Sequence, residues 1–383
     1  MLLKSVYLHI PFCHEICHYC DFTKIYYQES LADSYIEALE KEISMYVDSR
    51  KKVRTIYIGG GTPTSLSDRQ FEAMLKAVAR HFDIRDDVEF TIEANPGDFS
   101  KEKMNMLRLY GVNRISLGVQ VLDDQFLKAL NRSHQVKDVY ETVDLLHQNG
   151  MENLSMDFIY ALPGQTFSLF KETLKEAISF GLPHYSSYSL QIEPQTVFYI
   201  RYRQGKLTKP DEGIEANMYL HLIEEMNRHG ILQYEISNFA RPGFESRHNL
   251  TYWNNDYYYG FGAGAHSYFP GRRVVNIRPV NHYIKSIETG RKPVLHEEKI
   301  TLKERIEEEM FLGLRKTEGV SRKKFFKQYH QTIDELYGER LNDLKEKNWL
   351  MDDGDVIRLT TRGMLFGNDV FQAFLLDGDP FGE

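Results

Sequence analysis

Six apolar, β-branched segments recur along the first half of the chain, most of them followed by a stretch with helical spacing. This alternation restricts the fold more than any other feature. The segments are SVYLHI (5–10), TIYIGG (55–60), VEFTIEAN (88–95), RISLGVQ (114–120), LSMDFIYAL (154–162) and YSSYSLQI (185–192). Between them, SLADSYIEALEKEISMYV and SDRQFEAMLKAVARHF place apolar residues at helical intervals, and Ser67 opens the second as a good N-cap. Six strand–helix units in succession predict a parallel α/β sheet curled into a full or partial barrel. In such folds chemistry gathers at the carboxyl ends of the strands. Cys13, Gly59 to Thr62, Glu93, Gln120 and Asp157 all fall at or near those ends.

The pattern changes after about residue 205. Residues 237–291 are rich in aromatics and glycine and show few clear periods. From 301 onward, LKERIEEEMFLGL, SRKKFFKQY and TIDELYGERLNDLKEKN read as helices, and WLMDDGDVIRLT reads as two short strands joined by a turn at Asp353-Gly354. The expected division is therefore 1–205, a barrel-completing region over 206–300, and a smaller, mainly helical, winged-helix-like domain over 301–383. Modules of that shape often bind DNA, but no concentrated basic face is present, and packing or covering a substrate is the expected role. The formal charge of -8 argues against nucleic acid or an anionic membrane as partner. No apolar run approaches the ~18 residues of a membrane span, and MLLKSVYLHIPF lacks the features of a signal peptide, so a cytoplasmic protein is expected.

That compartment bears on PFCHEICHYCDF (11–22), which holds all three cysteines of the 383-residue chain: Cys13, Cys17 and Cys20. Cytosolic thiols are kept reduced, so a tight group suggests metal or catalysis before disulfides. Incidental buried thiols are the plain alternative. Tetrahedral zinc would need His14 or His18 as a fourth ligand, and both sit awkwardly close to the cysteines. Thiolates also suit iron–sulfur clusters, where three cysteines on four irons leave one iron open for an outside ligand.

The Cys13-x3-Cys17-x2-Cys20 spacing, with Tyr19 before the last cysteine, resembles the cluster motif of the radical S-adenosylmethionine (SAM) superfamily. The resemblance implies a partial (β/α)6 radical-SAM barrel, a [4Fe-4S] cluster, and SAM bound to the unique iron. IGGGTPTSL (58–66) alone could be a tight turn. Behind the cysteine motif it looks like the superfamily's glycine-rich element, where missing side chains let backbone approach SAM. No lysine follows as a phosphate loop requires. TIEANPGD (91–98), RISLGVQVLDD (114–124), ALNRSH (129–134) and SMDFIYALPGQT (155–166) are similar to oxygen-independent coproporphyrinogen III oxidases and their relatives. By that resemblance Tyr7, Tyr19, Gly60, Gly61, Thr62, Glu93, Gln120, Arg132 and Asp157 contact SAM. Taken singly, each charged residue among them is more often a structural hydrogen-bonding partner. The residue types suit the task, since carboxylates accept from ribose hydroxyls or an amino group and an arginine pairs a carboxylate.

Two features separate this chain from the oxidases. Phe22 stands where they carry a further cysteine, and only twelve residues precede Cys13 where they have an extension used for the porphyrinogen. RHNLTYWNNDYYYGFGAGAHSY (247–268) contains His248-Asn249-x-x-Tyr252-Trp253, which resembles the HNxxYW signature of the HemW family of heme chaperones. A neutral imidazole suits heme iron, and flanking Tyr and Trp offer apolar faces to a porphyrin. The competing reading of His248 is a satisfied polar residue in an aromatic cluster. His266, beside Gly262 and Gly264, is a weaker candidate whose glycines serve close backbone packing. FLGLRKTEGVS and the hairpin after it look like the family's substrate-covering domain.

The resemblance implies heme as cargo, a membrane-associated respiratory hemoprotein as acceptor, and a cluster tied to homodimerisation and heme transfer. Coproporphyrinogen III oxidation by radical decarboxylation is the alternative, and a radical-SAM enzyme with another substrate fits everything before residue 205.

Overall fold

The computed structural model describes residues 3–378, 381 and 382. It forms two compact units, 1–222 with 257–297, and 223–256 with 298–383. The stretch 206–300 is shared between them.

In the first unit the six apolar segments are β1 (Ser5–Ile10), β2 (Thr55–Gly60), β3 (Glu89–Ala94), β4 (Arg114–Gln120), β5 (Leu154–Tyr160) and β6 (His184–Ser189). They pair in parallel and in order, β1 with β2 through to β5 with β6. Their residues are buried almost without alternation, because helices cover the outer face and side chains fill the inner one. The helix Asp68–His81 shows why: Ser67 and Gln70 form a capping box, and Phe71, Met74, Leu75 and Val78 make one buried stripe. A seventh parallel strand, Tyr258–Phe261, lies on the free side of β1; His266–Phe269 and Arg272–Asn276 extend the sheet antiparallel to it, and Val294–Lys299 forms its edge. The sheet curls. The Asp157 carboxylate on β5 helps raise the Tyr57 phenol on β2, although three strand spacings of a flat sheet would be about 14 Å.

A carboxylate fastens the late segment of this unit to an early helix. Glu42, fully buried on Glu29–Tyr46, accepts from the Gly262 N–H (2.7 Å), Asn276 Nδ2 (2.6 Å) and the Tyr283 hydroxyl (2.6 Å). Burial pushes its carboxyl up from 4.5 to about 7 despite those three donors. A carboxyl raised in the folded state stabilises fully in acid, and that contribution is lost as pH climbs from 4.5 through 7. Unfolding free energy is expected to fall by about 2–3 kcal/mol over that range through Glu42. Subtracting the urea-unfolding pH profile of Glu42→Gln from that of wild type isolates the slope, and a flat difference would refute it.

The second unit packs helices Leu302–Gly313, Arg322–Tyr329 and Ile333–Glu346 around Ile306, Met310, Phe325, Tyr337, Leu341 and Phe374. The wing is the hairpin Leu350–Asp352/Val356–Leu359, with Val320–Ser321 as its third strand. Its turn is made as the Asp-Gly pair predicts: Gly354 takes φ +95°, and Asp352 and Asp353 carboxylates accept from the N–H groups of Gly354 (3.0 Å) and Val356 (2.9 Å). No helix among the described residues is long and apolar enough to cross a membrane.

Candidate functional site

The cysteine loop leaves β1 and is clasped at its base. Phe12–Cys13 pairs with Ile25–Tyr26, the Ile25 N–H donates to Pro11 (2.7 Å) and the Tyr27 N–H to Cys13 (2.9 Å). Its far side is held by the 129–131 segment: the His18 N–H donates to the Leu130 carbonyl (3.0 Å), His18 Nδ1 to the Ala129 carbonyl (2.9 Å) and Asn131 Nδ2 to the Ile16 carbonyl (3.0 Å). His18 is thereby tied to that segment through its backbone N–H and Nδ1.

All three cysteines are free thiols. Cys13 is buried, with the Thr62 hydroxyl 3.8 Å from its sulfur. Burial pushes its thiol up to about 12, and burial raises Cys20 as well. Arg132 Nη1 lies 3.3 Å from Cys17 Sγ, while Nη2 donates to Asn95 Oδ1 (2.5 Å) and the Gly118 carbonyl (2.6 Å). Asn95 in turn donates to Thr62 (3.2 Å). Tyr19 packs beside Cys17 and Arg132; its phenol is raised first by burial and next by Cys17.

The glycine run receives its neighbours. A Cβ on Gly59 would sit 2.6 Å from the Glu93 carboxyl carbon, on Gly60 2.5 Å from the His9 ring, and on Gly61 2.9 Å from Cys13 Sγ. Gly60 also holds φ +118°. The missing side chains thus make room for this chain's own site groups, a reason the sequence reading, which looked to an approaching ligand, did not contain. His9 bridges the run to the loop: Nε2 donates to the Thr23 carbonyl (2.7 Å), leaving Nδ1 to accept from Tyr7 (3.0 Å).

A second group lies over the inner face. Glu93 accepts from Tyr57 (2.7 Å) and the Gly60 N–H (2.9 Å), and burial raises it to about 7. Asp157 accepts from Ser116 (2.9 Å) and Ser155 (3.2 Å), and burial raises it too. Tyr7 stacks on Tyr57 at 6.1 Å. Gln120 ends β4 at φ +70°, beside a register shift that turns its amide toward Gly118. Tyr7, Tyr19, Gly60, Gly61, Thr62, Glu93, Arg132 and Asp157 therefore lie on neighbouring strands and loops of the first unit, with Asn95 joining Arg132 to Thr62. His9, Tyr57, Asn95 and Ser116 escaped the sequence reading. Each sits two positions from a residue it singled out on the same strand face, except Ser116, which is a cross-strand partner.

His248 belongs to the second unit, on the helix Arg247–Trp253 that Ser246 caps. It is 1% exposed, and its Nε2 pairs with the Tyr252 hydroxyl one turn on (2.8 Å). Trp253 lies under the Arg315 guanidinium (4.3 Å). His266 is exposed on the first unit and is lowered by partial burial and by Arg278 and Arg273.

A profile of the radical SAM superfamily matches residues 7–177, and the HemN C-terminal domain matches 300–366. Coproporphyrinogen III oxidase (HemN) from Escherichia coli superposes with a TM-score of 0.85 at 23% identity, covering 97% of this chain and 90% of that one. Fold and site together define a radical SAM protein. Heme chaperone HemW of Bacillus subtilis (strain 168) is 46% identical over 97% of this chain and 99% of its own, and that of Lactococcus lactis (strain IL1403) is 46% identical over 99% of each. The chain belongs to the HemW family.

The superfamily implies a [4Fe-4S] cluster and SAM. The donor set fits both. Three free thiols share one loop, and a thiol pushed as high as that of Cys13 becomes a thiolate at neutral pH when metal replaces its proton. Arg132 Nε is buried without a partner among the described residues, on the side chain whose Nη1 lies 3.3 Å from Cys17 Sγ.

Proposed function

We propose that this protein is a heme chaperone, which binds heme and passes it to an acceptor hemoprotein. Near-full-length identity of 46% to relatives named heme chaperones carries the reading. Phe22 in place of a further cysteine supports it against coproporphyrinogen oxidation. Cys13, Cys17 and Cys20 would hold the cluster, and Tyr7, Tyr19, Gly60, Gly61, Thr62, Glu93, Gln120, Arg132 and Asp157 would hold SAM. Bound there, the cluster supplies electrons and the open iron an anchor for SAM. Arg132 pairs a carboxylate, while Glu93 and Asp157 accept from hydroxyl or amino groups. The site acts as a structural or regulatory element, tied to a homodimer, and the acceptor is a membrane-associated respiratory hemoprotein.

Heme is assigned to His248, and ligation requires the Tyr252 hydroxyl to release Nε2. Heme titration of His248→Ala should show affinity lowered about tenfold or more and an altered Soret band. Unchanged affinity and spectrum would remove His248 as the ligand. Cluster-loaded protein incubated anaerobically with SAM, reductant and coproporphyrinogen III is expected to form no protoporphyrinogen. Multiple turnover would make it an oxidase instead.

A further inference from the structure

Beneath the two carboxylates the barrel interior holds a residue assigned no role so far. Arg114, the first residue of β4, is 2% exposed and heads the largest fully buried side chains of the chain. It shares its strand face with Ser116, whose hydroxyl donates to both Asp157 oxygens (2.9 and 3.1 Å), and lies one strand period, about 6.6 Å, deeper. In register Ser116 stands opposite Glu93 and Arg114 opposite Thr91. The guanidinium Nε is buried and has no hydrogen-bond partner among the described residues. The groups that feel its charge are Tyr57, Glu93, Asp157 and His184. His184 is held neutral, first by burial and then by Arg114, and pairs with Ser155 (2.8 Å). Arg132, the other arginine of the site, is engaged by Cys17, Asn95 and the Gly118 carbonyl.

A buried guanidinium keeps its proton, and two buried carboxylates without a counter-charge would both take up protons. We infer that Arg114 is a positioning residue of the SAM pocket: its buried positive charge, on the strand face of Ser116, favours the carboxylate forms of Glu93 and Asp157, which accept hydrogen bonds from a hydroxyl- and ammonium-bearing ligand. The inference rests on the reading of those two residues as SAM contacts.

Facing Glu93 are Tyr57, the Gly60 N–H, Tyr7, Asp157 and Arg114; facing Asp157 are Ser116, Ser155, Ser186, Tyr57 and Arg114. A protonated carboxyl loses acceptor capacity, so SAM binding tightens as pH rises through the carboxyl midpoint, about 7 for Glu93. Removing the positive charge moves that midpoint upward.

SAM affinity is to be measured from pH 6 to 9 on cluster-loaded protein by equilibrium dialysis, with the SAM-induced change in the reduced cluster's EPR signal as a second readout. Arg114→Gln is expected to weaken binding about fivefold at pH 7 and nearly tenfold at pH 6, the effect of moving the midpoint up one unit, and to converge on wild type by pH 9. Arg114→Lys, which keeps the charge, should hold the wild-type midpoint. A glutamine profile that superimposes on wild type would overturn the inference. So would a folded lysine variant that shifts the midpoint despite its charge, which is the deciding arm should the glutamine variant not fold. Wild-type protein that holds its cluster but binds no SAM at any pH would sink the pocket reading and the inference together.

Discussion

Cys13→Ser, Cys17→Ser and Cys20→Ser should each leave the protein without its iron–sulfur chromophore, iron falling from about four per chain toward zero. With three thiols and no fourth in the chain, no other cysteine can substitute for a missing ligand. The variants should differ in what else they disturb. Cys17→Ser also takes the sulfur from Arg132 Nη1, whereas serine at buried Cys13 adds a hydroxyl beside Thr62 and Gly61. Cys20 packs near Lys24, whose ammonium binds the Cys20 carbonyl rather than its sulfur, so its serine variant should cost least in fold. Anaerobic iron and sulfide analysis with visible absorption decides the matter. A variant that keeps full iron and the wild-type spectrum would remove that cysteine from the ligand set.

Gly60→Ala should destabilise the first unit by about 3 kcal/mol, far more than a surface glycine change. The backbone at φ +118° lies where a side chain is strained, and the new methyl would meet Nδ1 and Cε1 of His9, each 2.5 Å away. His9 cannot swing clear without giving up the Thr23 carbonyl and Tyr7. Urea unfolding followed by far-UV circular dichroism should show the midpoint moved and the slope unchanged. Gly150→Ala, also at positive φ (+77°) but with nothing within 4 Å, is the control for backbone strain alone. Equal losses in the two variants would mean that the His9 contact contributes nothing.

The six parallel strands were legible because strands covered on both faces read as apolar runs of the right length. Tyr258–Phe261 was not: it is four residues long, embedded in an aromatic and glycine-rich stretch, and defined by pairing with β1 some 250 positions earlier. The Asp353-Gly354 turn could be read directly, since its cause lies within four residues. At the site, motif spacing located the thiols, the glycine run and the carboxylates. It did not disclose why the glycines are needed, because Glu93, His9 and Cys13 reach them across the sheet. Arg114 escaped for the same reason. An arginine opening an apolar strand looks like a flanking surface charge until the curl of the sheet encloses it.

The strand Tyr258–Phe261 also bears on the order of assembly. It borders β1, and the turn after it sets Gly262 against Tyr35 and the His9 carbonyl and Gly264 against Thr23, the residue whose own carbonyl anchors His9. On the ribosome the three cysteines emerge roughly 10–50 s before that strand does. During that interval the loop would be present with one wall of its frame still unmade. Cluster insertion is therefore expected to follow the emergence of that strand, and a nascent amino-terminal half should bind iron poorly however many thiols it displays.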